Sequence, residues 1–299
     1  MAATHDPKWP DASSLLSLSA QPERRNVSLV GLSTHRHSLS ARSALSTPRA
    51  IRAALERYST WSYEDDVDLG DVVNLVDVGD LEDPDAEDAV ERLARQLAGA
   101  ASPVIVLGGD NSAMFTALRA LAGEDLSGVG LVTLDAHHDL RDGVSNGSPV
   151  RQALAAGLDP AAVVQVGLAD FSNSGPYARA AREAGVHVIS RAALRREQIE
   201  PVIGHAIDVA AGTHRRVYVD IDLDVADRSV VPACAAAAPG GLSADELRRA
   251  ARQVGADERV FAVDLTEIDV ARDSDDGRTV RLGALLVLEV LAGVQRRMR

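Results

Sequence analysis

Short, almost continuously apolar segments alternate with segments of helical periodicity, and this alternation constrains the fold more than any other feature of the chain. Eight such apolar runs, rich in β-branched residues, span residues 27–32, 72–78, 103–109, 130–136, 163–168, 186–190, 216–224 and 259–268. Runs of this kind are typical of strands that are covered on both faces. Such strands form parallel sheets between two layers of helices. We therefore predict an α/β fold with three layers, α-β-α, around a central, mostly parallel sheet of eight strands.

The segments between these runs have the pattern of amphipathic helices. In the segment 83–99 one apolar stripe consists of Ala89, Val90, Leu93, Ala94 and Leu97. Acidic residues precede that stripe, as the helix dipole favours. Ser243 and Glu246 have the spacing of a capping box, so we predict a helix that starts there and stops at Gly255. The apolar segment 280–293 is too short to cross a membrane and predicts a final helix packed against the core.

The alternation continues along the chain without a repeat, a low-complexity tract or an internal linker. Only the beginning of the chain lacks the pattern. We therefore predict an irregular N-terminal extension, residues 1–25, followed by a single domain, residues 26–299. The aromatic content of 3% is typical of helices packed on β-branched strands rather than of a β-sandwich.

Charge and composition exclude several classes of function. The formal net charge of -13 argues against a nonspecific nucleic-acid binder, which needs clustered Lys and Arg. No run approaches ~18 uninterrupted apolar residues, and the N-terminus has no basic region followed by an apolar one. We therefore expect neither membrane insertion nor export. The single cysteine, Cys234, excludes an intrachain disulfide and a cysteine zinc cage, and fits the cytoplasm.

Acidic and polar residues stand at the ends of four of the predicted strands. The four groups are Asp110 and Asn111; Asp135, His137 and Asp139; Asp220, Asp222, Asp224 and Asp227; and Asp264 and Glu267. The carboxyl ends of parallel strands line the ligand crevice of an open α/β sheet. We therefore expect these side chains to converge on one site.

Convergence of so many carboxylates requires cations, because like charges a few ångströms apart repel and raise one another's pKa. A single Asp-x-Asp at a strand end is more often a helix cap or a turn than a metal site. Because acidic groups of this kind occur at the ends of several separate strands, the sequence favours a metal site. Oxygen ligands with one or two imidazoles suit Mn²⁺ or a similar ion, and carboxylates can bridge two ions about 3.5 Å apart.

Four motifs that carry these residues occur in order along the chain: GGDNS (108–112), DAHHD (135–139), DIDLDVADRSVVPACAAAAPGG (220–241) and VDLTE (263–267). The set resembles that of the ureohydrolase family, which includes arginase, agmatinase and formimidoylglutamase and reads GGDHS, DAHxD, SxDxDxxDP and DxxE. The resemblance covers roughly residues 27–295. It implies an arginase-like fold and hydrolysis of a guanidinium or formamidinium carbon by a hydroxide held between two Mn²⁺ ions.

The resemblance also implies which residues bind the two ions. Asp135 and Asp222 would bridge them. Asp139 would help to bind the first ion, and His137 and Asp224 would bind the second.

Further roles follow by position in the same motifs. Asp227 matches the residue that hydrogen-bonds the bridging hydroxide, and Glu267 matches the residue that pairs with the cationic nitrogens of the substrate. Asp220 stands where the family usually has a small hydroxyl residue. We expect it to hold a ligand or an imidazole by a hydrogen bond.

Two asparagines depart from the family pattern. Asn111 stands where the family places a histidine ligand of the first metal, and an amide oxygen is a weaker ligand, so we expect a weak first site. Asn146 stands where arginases have a histidine that carries protons to the leaving amine. It is retained as a candidate catalytic and substrate-binding residue, and His35, His37 and His138 are alternative proton carriers.

The loop after DAHHD is the part of the chain expected to select the tail of the substrate. It contains Arg141 and Arg151, and guanidinium groups match carboxylates, so the loop favours an acidic tail. Together with Glu267 and Asn146 at the amidine, these arginines favour N-formimidoyl-L-glutamate, cleaved to L-glutamate and formamide in histidine breakdown.

Two other functions stay open at this point. One is hydrolysis of a guanidino compound with release of urea, as by an agmatinase, a guanidinobutyrase or an arginase. The other is a metal-poor family member that binds without catalysis, which the two asparagines suggest. The resemblance further implies a homo-oligomer, a trimer or a hexamer.

Overall fold

The computed structural model describes residues 6, 8–40, 43 and 46–297. Its strands are β1 (Leu16–Ser17), β2 (Arg25–Leu32), β3 (Trp61–Ser62), β4 (Val67–Asp68), β5 (Val73–Asp80), β6 (Val104–Gly108), β7 (Val129–Leu134), β8 (Val163–Leu168), β9 (His187–Ser190), β10 (Arg216–Asp222) and β11 (Val260–Thr266). Nine of them form one sheet in the order β1-β5-β2-β6-β11-β10-β7-β8-β9, and β3 and β4 form a small separate antiparallel pair. Every neighbouring pair in the large sheet is parallel.

Helices cover both faces of this sheet, which confirms the predicted α-β-α layers. They are α1 (Thr47–Ala54), α2 (Leu69–Val72), α3 (Ala89–Gln96), α4 (Ser112–Ala122), α5 (Pro149–Ala155), α6 (Gly175–Ala184), α7 (Arg191–Leu194), α8 (Ile199–Ala211), α9 (Ala244–Ala256) and α10 (Arg278–Arg296). One apolar core lies between the sheet and α1, α8, α9 and α10. A second core lies on the other face, beneath α3, α4, α5 and α6.

All eight predicted strands are present, and the sheet gains a ninth. The additional strand, β1, lies inside the segment that the sequence predicted to be irregular, and it pairs with Leu75 and Val76 of β5. Two residues are too short to show a pattern of alternation, so this strand left no signal in the sequence. Residues 1–5 and 7 of the predicted extension lie outside the described residues.

The order of the central strands explains how the polar strand ends meet. The four strands that end in acidic or polar residues, β6, β11, β10 and β7, are consecutive neighbours in the sheet. Because all four are parallel, their carboxyl ends lie at the same edge. The predicted convergence at one edge of the sheet is therefore confirmed.

The two C-terminal helices pack closely against each other. α9 begins at the predicted capping box, in which Ser243 accepts from the backbone of Glu246 and Glu246 accepts from the backbone of Ser243. α10 is the predicted final helix and is largely buried. The two helices meet backbone to backbone at Gly255 and Gly293. Among the described residues, no helix has the length and apolar character needed to span a bilayer.

Replacing Gly293 by alanine should destabilise the protein. A β-carbon at this position would lie 2.2 Å from the carbonyl oxygen of Arg252, so α9 and α10 would have to separate. We expect the free energy of unfolding to fall by about 1–3 kcal/mol, despite the better helix propensity of alanine. Gly128→Ala is the matched control, because a β-carbon there meets nothing within 4 Å. Urea unfolding of both variants measures the difference, and wild-type stability of Gly293→Ala would contradict the tight contact.

Candidate metal centre

Five side chains at the carboxyl edge of the sheet form two overlapping groups of possible metal ligands. The first group is Asp135, Asp139 and Asp222, and the second is Asp135, His137 and Asp224. Within each group the ligand atoms lie within 4.8 Å of one another. Asp135 belongs to both groups, as expected for a residue that bridges two ions. Asp222, the other predicted bridge, belongs to the first group only.

Sheet register and a tight turn bring these residues together. Ile221 of β10 pairs with Leu134 of β7, so Asp222 and Asp135 follow side by side on neighbouring strands. A single turn of 3₁₀ helix follows Asp222, whose carboxylate accepts a hydrogen bond of 2.9 Å from the backbone nitrogen of Asp224. That turn directs Asp224 back toward the same edge.

The carboxylates of this cluster are almost completely buried. Asp135 is 0% exposed and Asp139 is 6% exposed. Burial, together with the neighbouring carboxylate of Asp224, raises the pKa of Asp135 to about 6. Burial also raises the pKa of Asp139 and that of Asp222 well above the ordinary range, with repulsion from Asp135 and Asp224 acting in the same direction. The cluster is thus unfavourable as a set of bare charges.

The donor set fits a pair of divalent ions. Asp135 Oδ2 is buried and has no hydrogen-bond partner among the described residues, a costly state that a metal ion would relieve. His137 Nδ1 lies 3.4 Å from Asp135 and 3.1 Å from Asp224. Although burial lowers the pKa of His137, these two carboxylates raise it to about 11. The site therefore favours positive charge strongly, and carboxylate oxygens with one imidazole are ligands for Mn²⁺ or a similar ion.

Asn111 lies beside the first group, but its amide is oriented for a different role from the predicted one. Its Nδ2 donates to Asp139 Oδ2 over 2.8 Å, and its Oδ1 accepts from the hydroxyl of Thr266 over 3.0 Å. The oxygen that a metal would need is therefore turned toward Thr266. In this arrangement Asn111 holds the ligand Asp139 in place. Its predicted role as a ligand of the first metal stays a prediction.

Glu267 and Asn146 stand together in the wall of the cavity above the metal ligands. Glu267 Oε1 accepts from the backbone nitrogen of Asn111 and from Asn146 Nδ2, both over 2.8 Å. Asn146 Oδ1 accepts from the backbone nitrogen of Leu39, and its own backbone nitrogen donates to the carbonyl of His37. Asn146 thus orients Glu267 and joins two loops. A carboxamide neither loses nor gains a proton at neutral pH, so this geometry supports orientation and not proton transfer.

Two residues of this site have a strained backbone conformation. Glu267 has φ 64° and Asp139 has φ 53°, both in the left-handed region that residues other than glycine rarely adopt. Each such residue costs on the order of 1–3 kcal/mol and persists where the surroundings enforce it, often at functional sites. Both residues direct a carboxylate into the site.

A cavity of about 260 Å³ leads from these ligands toward the surface. Its floor contains Asp139, Asp222, Asp224 and His137, and Glu267 and Asn146 lie in its wall. The other polar residues that line the cavity are His138, Arg141, Ser172, Asn173, Ser174 and Tyr177, together with Ser40. The cavity thus combines an acidic floor with a mainly neutral wall that carries a single arginine.

Arg151, the second arginine predicted to bind the substrate, is not among the residues that line this cavity. Its guanidinium lies 3.6 Å from the carboxylate of Asp142 at the surface, and the side chain is 46% exposed. The structure does not bring Arg151 to the lining of this cavity, and its predicted contact with the substrate stays a prediction. Arg151 lies on α5.

Asp227, predicted to contact the hydroxide, is also placed elsewhere. Its Oδ1 accepts from the backbone nitrogen and the hydroxyl of Ser229, and its Oδ2 accepts from the backbone nitrogen of Gly240 over 2.6 Å. The hydroxyl of Ser229 and the backbone of Gly240 lower the pKa of Asp227. Asp227 does not line the cavity. It fastens the loop 227–240, and the predicted catalytic contact is not supported.

Asp220 supports no ligand by a hydrogen bond among the described residues, contrary to expectation. It is fully buried and lies next to Asp264 in the sheet register. Burial raises its pKa well above the ordinary range, and the neighbouring Asp264 adds to this effect. The hydroxyl of Tyr218 donates to Asp264 over 2.7 Å. Asp220 and Asp264 thus form a buried acidic pair beneath the metal ligands.

The three histidines considered as proton carriers differ in position. His35 contacts Asp85 over 3.3 Å, and His37 lines a separate small cavity. Of the three, only His138 lines the cavity above the metal ligands. Its ring is held by Gln165, a residue that sequence reasoning missed. Gln165 could have been noticed as the one polar residue inside the apolar run 163–168.

Comparisons with known proteins agree with this architecture. A sequence model of the arginase family matches residues 25–293. The chain is similar to formimidoylglutamase of Halalkalibacterium halodurans, with 33% identity over 278 residues that cover 89% of this chain and 86% of the relative. The crystal structure of formimidoylglutamase from Bacillus subtilis has a TM-score of 0.87 at 26% identity and covers 98% of this chain and 94% of its own. A Trypanosoma cruzi formiminoglutamase with Mn²⁺ shares the fold, with a TM-score of 0.83, 24% identity and coverage of 97% and 99%.

The raised pKa values predict that metal affinity increases with pH. A metal ligand must lose its proton, and burial holds the proton on Asp135 up to about pH 6. In the metal-free protein, the free energy of unfolding should therefore fall as the pH rises from the ordinary pKa of 3.8 through about 6. In this range Asp135 loses its proton, and its buried carboxylate becomes a charge that the folded state disfavours. Added Mn²⁺ should reverse this trend.

Calorimetric titration with Mn²⁺ across this range of pH measures both the affinity and the protons released. We expect affinity to rise with pH and protons to be released at the acidic end. An affinity that is independent of pH, with no proton release, would show that these carboxylates are not the ligands.

Proposed function

The chain belongs to the arginase family, and from this premise we propose that it hydrolyses N-formimidoyl-L-glutamate to L-glutamate and formamide. It is a metal-dependent hydrolase that acts on a C–N bond of a linear amidine. The observation that carries the choice of substrate is a cavity with two groups of metal ligands at its floor and Arg141 in its wall. Similarity to formimidoylglutamase over most of the chain supports the same choice.

Two divalent ions would be held by the two groups that share Asp135. Asp139 and Asp222 would complete the first, and His137 and Asp224 the second. When bound, such ions make water acidic enough to act as a nucleophile at neutral pH. We propose Mn²⁺, because oxygen ligands predominate and one imidazole accompanies them. The Mn²⁺ in the T. cruzi protein that shares the fold is consistent with this choice.

Glu267 is placed to receive the cationic amidine. Its carboxylate lines the cavity, and two donors hold Oε1, so the side chain is oriented before the substrate arrives. A carboxylate in such a buried position forms strong, charge-assisted hydrogen bonds with amidinium N–H groups. Asn146 acts through Glu267 as a positioning residue.

Arg141 is placed to bind a carboxylate of the substrate's tail. The aliphatic part of its side chain lies over Gly147, where a β-carbon would come within 2.7 Å of Arg141 Cδ. Its guanidinium has no ion pair among the described residues. Bidentate hydrogen bonds from a guanidinium match a carboxylate. The hydroxyls of Ser172 and Tyr177 also line the cavity and would serve as donors to the second carboxylate.

The reaction adds the oxygen of water to the formimidoyl carbon and breaks the bond between that carbon and the nitrogen of glutamate. The amine of glutamate leaves with a proton, and the formimidoyl carbon becomes formamide. Burial of the cavity floor excludes bulk water from the cleaved bond.

The two other functions considered are less well supported. A guanidino hydrolase acting on agmatine would place a cationic tail beside Arg141. A family member that binds its ligand without metal and without catalysis would not require two complete groups of buried metal ligands. We further propose, on the family resemblance alone, a place in histidine breakdown, a cytoplasmic location and a trimer or hexamer.

Turnover with different amidines tests the proposed function. With Mn²⁺ bound, the protein should release formamide from N-formimidoyl-L-glutamate at a kcat/KM at least about a hundredfold above that for agmatine, because the cationic tail of agmatine would lie beside Arg141. Arginine and guanidinobutyrate, which carry one carboxylate each, are compared in the same assay. Product assays for formamide and for urea separate the two reactions. Urea from a guanidino compound, with no formamide from the first substrate, would contradict the proposal.

The two arginines of the selecting loop provide a matched pair of variants. Arg141→Met should raise KM for N-formimidoyl-L-glutamate by about tenfold to a hundredfold, because a charged hydrogen bond to the tail is lost. Arg151→Met should leave KM unchanged, since Arg151 lies at the surface. Steady-state kinetics of both variants measure the effect. Equal effects of the two substitutions would refute the assignment of Arg141.

A further inference from the structure

We propose that Asn173 positions the metal ligand His137 and thereby increases the affinity of the protein for the ion of the second ligand group. The inference rests on the proposed pair of ions and concerns a residue that lies outside all four motifs. Asn173 follows β8 and directly precedes Ser174, the N-cap residue of α6. It belongs to neither group of possible metal ligands.

His137 lies in a segment that is not held by regular secondary structure. β7 ends at Leu134, and residues 135–140 form neither helix nor strand. Asp224, its partner in the second group, lies instead in a turn of 3₁₀ helix. The side chain of His137 is also 26% exposed, against 3% for Asp224. The position of the imidazole therefore depends on contacts that other parts of the chain make with this segment.

The amide of Asn173 binds both of the peptide groups that flank His137. Asn173 Oδ1 accepts from the backbone nitrogen of His138 over 2.8 Å, and Asn173 Nδ2 donates to the carbonyl of Ala136 over 2.8 Å. These two backbone atoms belong to the peptide groups on either side of the α-carbon of His137. Because peptide groups are planar, their orientations set both backbone dihedral angles of His137. The direction in which its side chain leaves the backbone follows from these angles.

The partners of Asn173 determine the orientation of its amide. Asn173 Nδ2 also donates to the carbonyl of Ala169 over 3.4 Å. If the amide were turned around, its oxygen would face two carbonyl oxygens and its NH₂ group would face an N–H. The backbone nitrogen of His138 has no other acceptor among the described residues, and His138 is 6% exposed. Loss of the Asn173 amide would thus leave a buried donor unpaired, which the segment can relieve only by moving.

The ligands of the first group are held by other contacts. Asn111 donates to the carboxylate of Asp139, and Asp222 is the last residue of β10. The backbone nitrogen of Asp135, which both groups share, donates to a carbonyl of β8. Asn173 therefore acts on the second group more than on the first. The alternative is that Asn173 only shapes the wall of the cavity that it lines, and in that case neither ion depends on it.

Asn173→Ala separates these alternatives, because it removes both hydrogen bonds to the segment around His137. Anomalous diffraction from metal-free crystals soaked at graded Mn²⁺ concentrations measures the occupancy of each ion separately. We expect the Mn²⁺ concentration that half-fills the second group to rise about tenfold to a hundredfold, the usual effect of removing a residue that orients a metal ligand. The concentration that half-fills the first group should change by no more than about twofold, because its ligands keep their own contacts. In solution, the electron paramagnetic resonance signal of a coupled Mn²⁺ pair should appear only at the higher concentration.

Asn26→Ala is the matched control, because the amide of Asn26 makes the same pair of contacts at the opposite edge of the sheet. Asn26 Oδ1 accepts from the backbone nitrogen of Gln21 over 2.8 Å, and Nδ2 donates to the carbonyl of Gln21 over 2.9 Å. Asn26 lies at the amino end of β2, and both asparagines are half-buried. Urea unfolding of the two metal-free variants establishes that each one folds. We expect Asn26→Ala to bind both ions as the wild type does.

Three results would overturn the inference. They are an unchanged second ion in Asn173→Ala, an equal weakening of both ions in that variant, and an equally weakened second ion in Asn26→Ala. Fewer than two ions in the wild type would overturn it together with the proposed pair of ions. No substrate enters these measurements, so hydrolysis of a different amidine would refute the proposed function and leave the role of Asn173 standing.

Discussion

Repulsion among buried carboxylates is the constraint on which this structure depends. Asp135, Asp139 and Asp222 meet where almost no water reaches them, and burial raises the pKa of each. The described residues supply one compensating cation inside the cluster, His137. Divalent ions remove the repulsion and satisfy the unpaired oxygen of Asp135. Metal binding is therefore part of what makes this edge of the sheet stable, and it is also the source of the chemistry.

The parallel sheet makes this concentration of charge possible. Four neighbouring strands end at one edge, and the register between β7 and β10 places Asp135 beside Asp222. Neutral amide side chains around the cluster form hydrogen bonds with its charged and basic side chains. Asn111 holds Asp139, Asn146 holds Glu267, and Gln165 holds His138. Neutral amides thus orient the charged and basic groups, which suits a site whose net charge is already set by its carboxylates.

The sequence predicted the parts of the molecule that depend on local pattern. The eight long strands follow from apolar runs, and the metal ligands follow from motifs whose spacing places them at strand ends. The positions of Asp227 and Arg151 outside the cavity lining could not be predicted, because they depend on contacts with Gly240 and Asp142 that no motif records. The orientation of the Asn111 amide could not be predicted either, since Thr266 is distant in the sequence. β1 was missed because two residues carry no pattern.

The central claim is that one carboxylate, Asp135, is shared by two metal ions at the carboxyl edge of the sheet. Anomalous diffraction from a crystal soaked in Mn²⁺ tests this most directly. The account predicts two peaks, one among Asp135, Asp139 and Asp222 and one among Asp135, His137 and Asp224. A single peak, or peaks that do not have Asp135 between them, would contradict it.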